Sequence, residues 1–463
     1  MRKLHSYEKY KNSGIPWLGD VPEHWKAIKT KHLFSERVQK GYPNEPLLAA
    51  TQTKGVVPKS MYENRTVEAQ KDLHLLKLVN SGDFVISLRS FQGGIEYAYY
   101  RGIISPAYTV IVPNKRILPE YYRYLAKSKN FISLLKTCVT GIREGQNINY
   151  EILRKTPMPV PPQKEQQQIA RYLDWQTSKI NKFIKAKKKF ISLLNEQKQN
   201  IINEAVTKGI NPDVEMKDSG VEWLGEIPAH WDVRKFKHIS KFYSGGTPSK
   251  AIDSFWKGNI PWVSPKDMKS KYILDASDHI SAEAVESSAT SYVDEGQMLM
   301  VVRSGILRRT IPVCITKRMV TFNQDIRAII LNRKTIYTEY LYALINGCEK
   351  TLLDEWLKVG ATVESIEYKY MANCYLPIPP IDEQQLIVSF LEKETILIDK
   401  TVTRTEQEIE LIQEYRTRLV SDVVTGKVDV RSVKIPDFEP AETELEVKDD
   451  EEFEELIAEG IEE

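Results

Sequence analysis

A chain that repeats a long passage of its own sequence is confined to folds built from two related units, and this chain does so. The opening motif Ser13-Gly14-Ile15-Pro16-Trp17-Leu18-Gly19-Asp20-Val21-Pro22-Glu23-His24-Trp25 returns as Ser219-Gly220-Val221-Glu222-Trp223-Leu224-Gly225-Glu226-Ile227-Pro228-Ala229-His230-Trp231, about 206 residues later. A second pair closes each copy. Pro161-Pro162-Gln163-Lys164-Glu165-Gln166-Gln167 matches Pro379-Pro380-Ile381-Asp382-Glu383-Gln384-Gln385, about 218 residues on. Two long matching units imply an internal pseudo-two-fold, suited to a partner that is itself repeated or two-fold symmetric.

At 463 residues the chain is too long for one ordinary core, and the duplication divides it into two units, each long enough to bury its own. Cys138, Cys314, Cys348 and Cys374 form no Cys-x-x-Cys pair and have no His at zinc-ligand spacing, so neither a disulfide framework nor a metal site is signalled. That usage fits a reducing cytoplasm. The first residues lack the apolar core of an export signal, and no later run suits a membrane span, so a cytoplasmic protein without membrane contact is expected. The net charge of +2 conceals an asymmetry. From Asp437 to Glu463 there are 14 acidic residues against the single base Lys448, which leaves +15 on the rest of the chain. The body therefore favours a polyanionic partner, and the tail 437–463 reads as a disordered acidic segment.

Downstream of each Pro-Pro pair lies a run almost free of Gly and Pro. In the first run Ile169, Leu173, Ile180, Ile184, Ile191, Leu194 and Ile201 recur at spacings of 3, 4 and 7. The same offset of about 218 lands on Ile387, Leu391, Ile398, Val402, Ile409, Ile412 and Leu419, every one apolar. Prolines before and a glycine after each run, Gly209 and Gly426, mark helix ends. Each helix would be a rod of roughly 60 Å, and the register match predicts that the two pack on each other. The segment before each rod reads as mixed α/β. Strands are expected at 83–88, 96–100 and 108–112 with a helix over 121–135, and again at 298–302, 311–315 and 328–331 with a helix near 340–345.

In order and motif the chain resembles the DNA-specificity subunits of type I restriction-modification systems. The residues that carry the likeness are Trp17-Leu18-Gly19 with His24-Trp25, Trp223-Leu224-Gly225 with His230-Trp231, Gly245-Gly246-Thr247-Pro248-Ser249, Ile260-Pro261-Trp262, Asn323-Gln324-Asp325-Ile326 and the two Glu-Gln-Gln helix openings. The likeness extends from about residue 13 to 427. It implies an α/β chain of two mixed α/β target-recognition domains, 1–160 and 213–378, separated by two long antiparallel coiled-coil helices, 161–208 and 379–426, with a pseudo-two-fold repeat. Each domain would read one half of a split, asymmetric sequence on double-stranded DNA. The helices would set the spacer and dock two modification (methyltransferase) subunits, joined by restriction (translocase/nuclease) subunits. S-adenosylmethionine, ATP and magnesium belong, on this likeness, to those partners and not to this chain. The first copy departs from the pattern in having Gly41-Tyr42-Pro43-Asn44 where the second has its Gly-Gly-Thr-Pro-Ser stretch.

If the halves bind different sequences, side chains common to both copies serve scaffold, phosphates or partners, and those that differ contact bases. Arg89-Ser90 and Arg303-Ser304 follow equivalent strands and are assigned to the phosphates, with a salt bridge as the alternative role of each arginine. Beyond them the copies diverge. Phe91-Gln92-Gly93-Gly94 stands opposite Gly305-Ile306-Leu307-Arg308-Arg309, and Gly141-Ile142-Arg143-Glu144-Gly145-Gln146-Asn147 opposite Gly360-Ala361-Thr362-Val363-Glu364-Ser365. Gln and Asn pair bidentately with adenine and Arg with guanine, which singles out Gln92, Arg143, Gln146, Asn147, Arg308 and Arg309. The shared tryptophans read as core anchors, and Lys185 to Lys189 as either a phosphate track or a solvated helix face.

No Asn/Asp-Pro-Pro-aromatic methylation motif, Gly-rich cofactor loop or phosphate-binding loop is found, so no catalytic residue is assigned. Two further classes remain open on the residues alone: a stand-alone bivalent DNA-binding protein, and a protein scaffold whose basic body is incidental.

Overall fold

The computed structural model describes residues 5–61, 72–88, 90–140, 147–358 and 363–438. The described residues up to Lys188 together with those from Glu406 form one compact unit, and Lys189–Thr405 form a second. The first unit is therefore assembled from both ends of the chain.

Each unit carries a small hairpin that gives the repeated motif its local reason. Tyr10–Asn12 pairs antiparallel with Asp20–Pro22, and Met216–Asp218 with Glu226–Pro228. In the connecting turn the Asn12 carboxamide oxygen accepts from Gly14 N at 2.8 Å, and Asp218 Oδ1 from Gly220 N at 2.9 Å. Ser13 and Ser219 hydroxyls accept from the amides two residues on. Such short polar side chains stabilise turns by bonding to nearby backbone. Gly14 and Gly220 sit at φ +69° and +70°, where a Cβ would be strained.

The central sheets share one strand order. In the first unit it is Phe34–Arg37, Thr109–Pro113, Phe84–Ile86, Glu96–Tyr97. In the second it is Ser240–Ser244, Ile326–Leu331, Met298–Val301, Val313–Thr316, with Tyr272–Ile273 added at the edge. The strand after each hairpin also pairs with the strand before the long helix: Lys26–Lys29 with Pro157–Val160, and Asp232–Lys235 with Tyr375–Ile378. That pairing delivers the chain to the start of a long helix. The helix expected over 121–135 is two helices, Pro119–Ala126 and Lys129–Thr137. Ser128 breaks the run by capping the second, its hydroxyl accepting from Phe131 N, while an unbroken apolar period conceals the break in the sequence.

The long helices are Gln163–Lys208 and Ile381–Val424. All fourteen stripe residues are buried or half-buried. Ile169 and Leu173 enter the first core beside Tyr121, Leu125 and the end of the second helix, Leu419 and Val423. Ile387 and Leu391 enter the second core beside Tyr340, Leu344 and the end of the first helix, Ala205 and Val206. Between the helices Lys187 Nζ lies 2.8 Å from Glu408 Oε2 in the first unit, and Lys198 Nζ 2.5 Å from Asp399 Oδ1 in the second.

One carboxylate in each unit ties these pieces together. Glu165 Oε1 accepts from Trp25 Nε1 at 2.9 Å and from the Tyr7 hydroxyl at 2.6 Å, and His24 Nε2 is 2.7 Å from Oε2. Glu383 takes Trp231 Nε1 at 3.1 Å and His230 Nε2 at 2.7 Å. The following glutamines brace the domain. Gln166 Oε1 accepts from Leu118 N, and Gln384 Oε1 from Tyr337 N, both at 2.7 Å, while their amide groups donate to the carbonyls of Pro161 and Pro379. Burial plus hydrogen bonding to the Glu165 carboxylate drives the Tyr7 phenol far above its ordinary range. Among the described residues no helix is long and apolar enough to cross a membrane, and no group of three or more His, Cys, Asp or Glu is placed to hold a metal ion.

Candidate nucleic-acid interface

In the second unit four segments distant in sequence meet beyond the end of strand Met298–Val301. Val302 N and Arg303 N donate to Asp325 O at 2.8 and 3.3 Å, and Ile366 N donates to Val302 O at 2.8 Å. Ser304 N donates to Glu364 O at 3.1 Å, so the two divergent segments of this copy lie side by side. The Gly-Gly-Thr turn closes the patch. Gly246 N donates to Phe322 O at 3.1 Å, a Cβ on Gly245 would be driven into the backbone of Phe322 and Asn323, and the Thr247 hydroxyl donates to Gln324 Oε1. Glycine is thus required at Gly245 by close backbone approach.

The short 3-10 turn Gly305–Arg308 is anchored by Leu307, which is fully buried, and capped by the Ser304 hydroxyl accepting from Ile306 N. Arg303, Arg308 and Arg309 are exposed around it. Arg308 Nε donates to Glu364 Oε1 at 2.5 Å, and this guanidinium holds the Glu364 carboxyl below the usual carboxylate range. Arg303 and Arg309 make no side-chain hydrogen bond or ion pair among the described residues. Three exposed cations on one rim make a surface suited to phosphates and guanine edges.

The first unit builds a corresponding edge with different residues. After strand Phe84–Ile86 the short helix Ser90–Gly93 packs beside Asn147–Ile148, whose partner strand is Val139–Thr140. Gln92 is exposed, and a Cβ on Gly93 would lie 3.0 Å from the Gln52 side chain. Gln52 comes from the turn between strands Leu48–Thr51 and Gly55–Pro58. Lys127 fastens the group, its ammonium donating to Gln52 O and Gly93 O at 2.9 Å and to both Glu96 carboxylate oxygens at 2.7 Å. Glu96 is 1% exposed.

Ser90 is buried, and its hydroxyl accepts from Ser87 N at 2.8 Å, closing that turn. Ser304 is the cap of its own turn. Arg89, Arg143, Gln146 and the side chain of Asn147 lie outside the described residues, as does the tail beyond residue 438. Of the shared tryptophans, Trp25 and Trp231 are fully buried and Trp17 and Trp223 half-buried. In the basic run, Lys187 is engaged by Glu408 and stands over the Phe183 ring at 5.5 Å. Sequence comparison missed Gln52, Lys127, Thr247 and Gln324 as members of these edges. Thr247 and Gln324 were signalled only by the Gly-Gly-Thr and Asn-Gln-Asp strings, which say nothing of each other's position, and Gln52 and Lys127 lie in neither string.

A family model described as the type I restriction modification DNA specificity domain matches residues 18–193 and again 228–412. The specificity subunit of the type I restriction enzyme EcoR124I/EcoR124II from Escherichia coli is 33% identical over 322 residues, covering 66% of this chain and 72% of that protein. The MjaVIII specificity subunit of Methanocaldococcus jannaschii is 24% identical over 376 residues, covering 77% and 81%. A chain solved in a study of the assembly and conformational transition of the type I R-M system shares the fold at a TM-score of 0.66 and 14% identity, over 88% of this chain and 99% of its own length. With the family model satisfied once in each half and a relative a third identical over most of both lengths, this chain belongs to the family of type I restriction-modification DNA-specificity subunits.

Proposed function

We propose that this chain is a non-catalytic specificity subunit that recognises a bipartite, asymmetric sequence on double-stranded DNA and positions the enzymes that act there. Residues 1–160 and 213–378 serve as the two target-recognition domains. The helices 161–208 and 379–426 form an antiparallel coiled coil, related by a pseudo-dyad, that sets the spacer and docks two modification subunits and the restriction subunits. S-adenosylmethionine, ATP and magnesium are held by those partners, and the complex works in the cytoplasm.

The observation that carries this reading is the adjacency of segments that differ between the copies. The Arg303–Arg309 loop lies against Glu364–Ser365, and the Ser90–Gly93 turn against Asn147–Ile148, while the residues common to both copies are spent on hairpins, carboxylate ties and helix starts. Constant scaffold with variable edges is the division expected when two half-sites differ in sequence. Gln92, Arg308 and Arg309 are assigned to base edges and Arg303 to a phosphate, with Arg89 its counterpart and Arg143, Gln146 and Asn147 on the second segment of the first domain.

The test is a single-molecule methylation map of host DNA after co-expression with a matching modification subunit, against the modification subunit alone. A split methylated motif is expected only with both chains, and exchanging residues 213–378 for those of a relative should change one half of it. No new methylation from a folded, associated pair would overturn the reading and favour a stand-alone DNA-binding protein.

A further inference from the structure

We infer that Glu364 is a positioning residue for base recognition, which grips Arg308 through Nε and presents its two terminal nitrogens as a fixed fork to a guanine. The inference rests on the assignment of the Gly305–Arg309 turn to base reading. Arg308 Nε donates to Glu364 Oε1 at 2.5 Å, and its terminal nitrogens make no hydrogen bond among the described residues. A guanidinium engaged at Nε keeps its terminal pair free, and that pair matches the O6 and N7 acceptors of guanine in the major groove.

The two partners are unequally fixed. Arg308 has 70% of its side chain exposed and Glu364 23%. The backbone around Glu364 is stitched on both sides, by Ser304 N to Glu364 O at 3.1 Å, Lys358 N to Ser365 O at 2.9 Å and Ile366 N to Val302 O at 2.8 Å. The acid is the fixed post and the arginine the arm it steadies. A long, freely rotating arginine must give up its rotamer freedom on meeting a base, and a held one has already done so. Arg309, one residue on, has no such post among the described residues.

The chemistry also argues against a role in general affinity. A carboxylate on a surface that meets phosphates opposes binding, so its presence there requires a return in selectivity. Among the described residues the pair has no counterpart in the first copy. The stretch of the first unit corresponding to Arg308 reads Phe91-Gln92-Gly93-Gly94, with no arginine to hold. A contact confined to one domain is what a base specific to one half-site calls for.

The experiment uses the full chain assembled with its modification subunit. R308A, E364A, E364Q and the double variant R308A/E364A are mapped by genome methylation, and binding is measured to the mapped duplex and to duplexes altered at each position of the half-site read by residues 213–378. Expected is a loss of about ten-fold in discrimination at one and the same base pair in R308A and E364A. E364Q should keep most of the discrimination, because its amide oxygen still accepts from Nε, and the double variant should equal R308A. Affinity for unrelated duplex should stay level or rise in E364A. If R308A relaxes a position and E364A and E364Q do not, the positioning role is overturned and the base-reading assignment survives. If R308A alters no position, the assignment of the turn falls and this inference with it. If E364A weakens both half-sites and lowers the unfolding midpoint while E364Q does not restore either, the role is structural and the inference is overturned.

Discussion

Gly426 stands against Trp25 so closely that a Cβ on the glycine would lie 3.1 Å from the indole ring, and nearer still to Pro22. The glycine ends the second long helix, and the tryptophan belongs to the opening motif at the other end of the sequence. In the second unit Gly209 ends the first long helix and holds the corresponding place, 3.3 Å from Trp231.

Gly426→Ala should therefore cost about 1–3 kcal/mol, from overlap with Pro22 and Trp25 and from a φ of +79° that alanine adopts poorly. Gly209→Ala has the same φ and a looser neighbour, so about 1 kcal/mol is expected. Urea unfolding of the two variants followed by tryptophan fluorescence gives both values, and equal costs would refute the packing argument.

The carboxylate ties predict an asymmetry. Glu165→Ala strands Trp25 Nε1, the Tyr7 hydroxyl and His24 around a site 6% exposed, and should cost about 2–4 kcal/mol. At Glu383 the side chain is 23% exposed and accepts no tyrosine hydroxyl among the described residues, so about 1–2 kcal/mol is expected from Glu383→Ala. Differential scanning calorimetry of the pair should show the larger loss for Glu165→Ala.

Lys127→Met removes the ammonium from a carboxylate that has almost no access to water, and frees the Gln52 and Gly93 carbonyls together. About 3 kcal/mol of destabilisation is expected, with a Glu96→Gln second change recovering part of it. Amide hydrogen exchange should quicken at 52–55 and 92–94 in the single variant, and unchanged protection there would count against Lys127 as the fastener of that edge.

Asp267 supplies a pH test. Burial alone would raise its carboxyl, but hydrogen bonds from the Ser277 hydroxyl, the Ser264 and Ser277 amides and the Ser264 hydroxyl outweigh it, leaving the group below the ordinary range. A group depressed in the folded state stabilises at every pH above its unfolded value, and that contribution fades as pH falls through the folded value. Asp267→Asn should thus cost about 1–2 kcal/mol at neutral pH and progressively less as the pH falls below about 4. A constant difference from pH 7 to pH 2 would refute the assignment.

The sequence announced the long helices well, because apolar residues at 3, 4 and 7 are a local signal and prolines and glycines punctuate it. The break at Ser128 was hidden, since Tyr121, Leu125, Phe131, Leu134 and Leu135 keep a helical rhythm across it. The candidate edges were legible in part, because comparing two copies separates what varies from what is shared. What comparison cannot supply is which distant segments touch. Gln52 and Lys127 meet through a backbone carbonyl, which no side-chain pattern records. Thr247 and Gln324 meet because a glycine lets one turn sit on another.

The first unit is discontinuous: Leu419, Val423 and Val424 are buried in its core, and Val424 O accepts from the Tyr121 hydroxyl at 2.7 Å. The second unit is one uninterrupted stretch, Lys189–Thr405. On a translating ribosome the unit begun first is consequently the one finished last. Its tryptophans and tyrosines emerge without the helix end that covers them, and wait through the synthesis of more than two hundred residues before the closing turn arrives. Its folding is thus coupled to completion of the chain, and a nascent chain stalled before residue 419 would carry a finished second unit and an open first one.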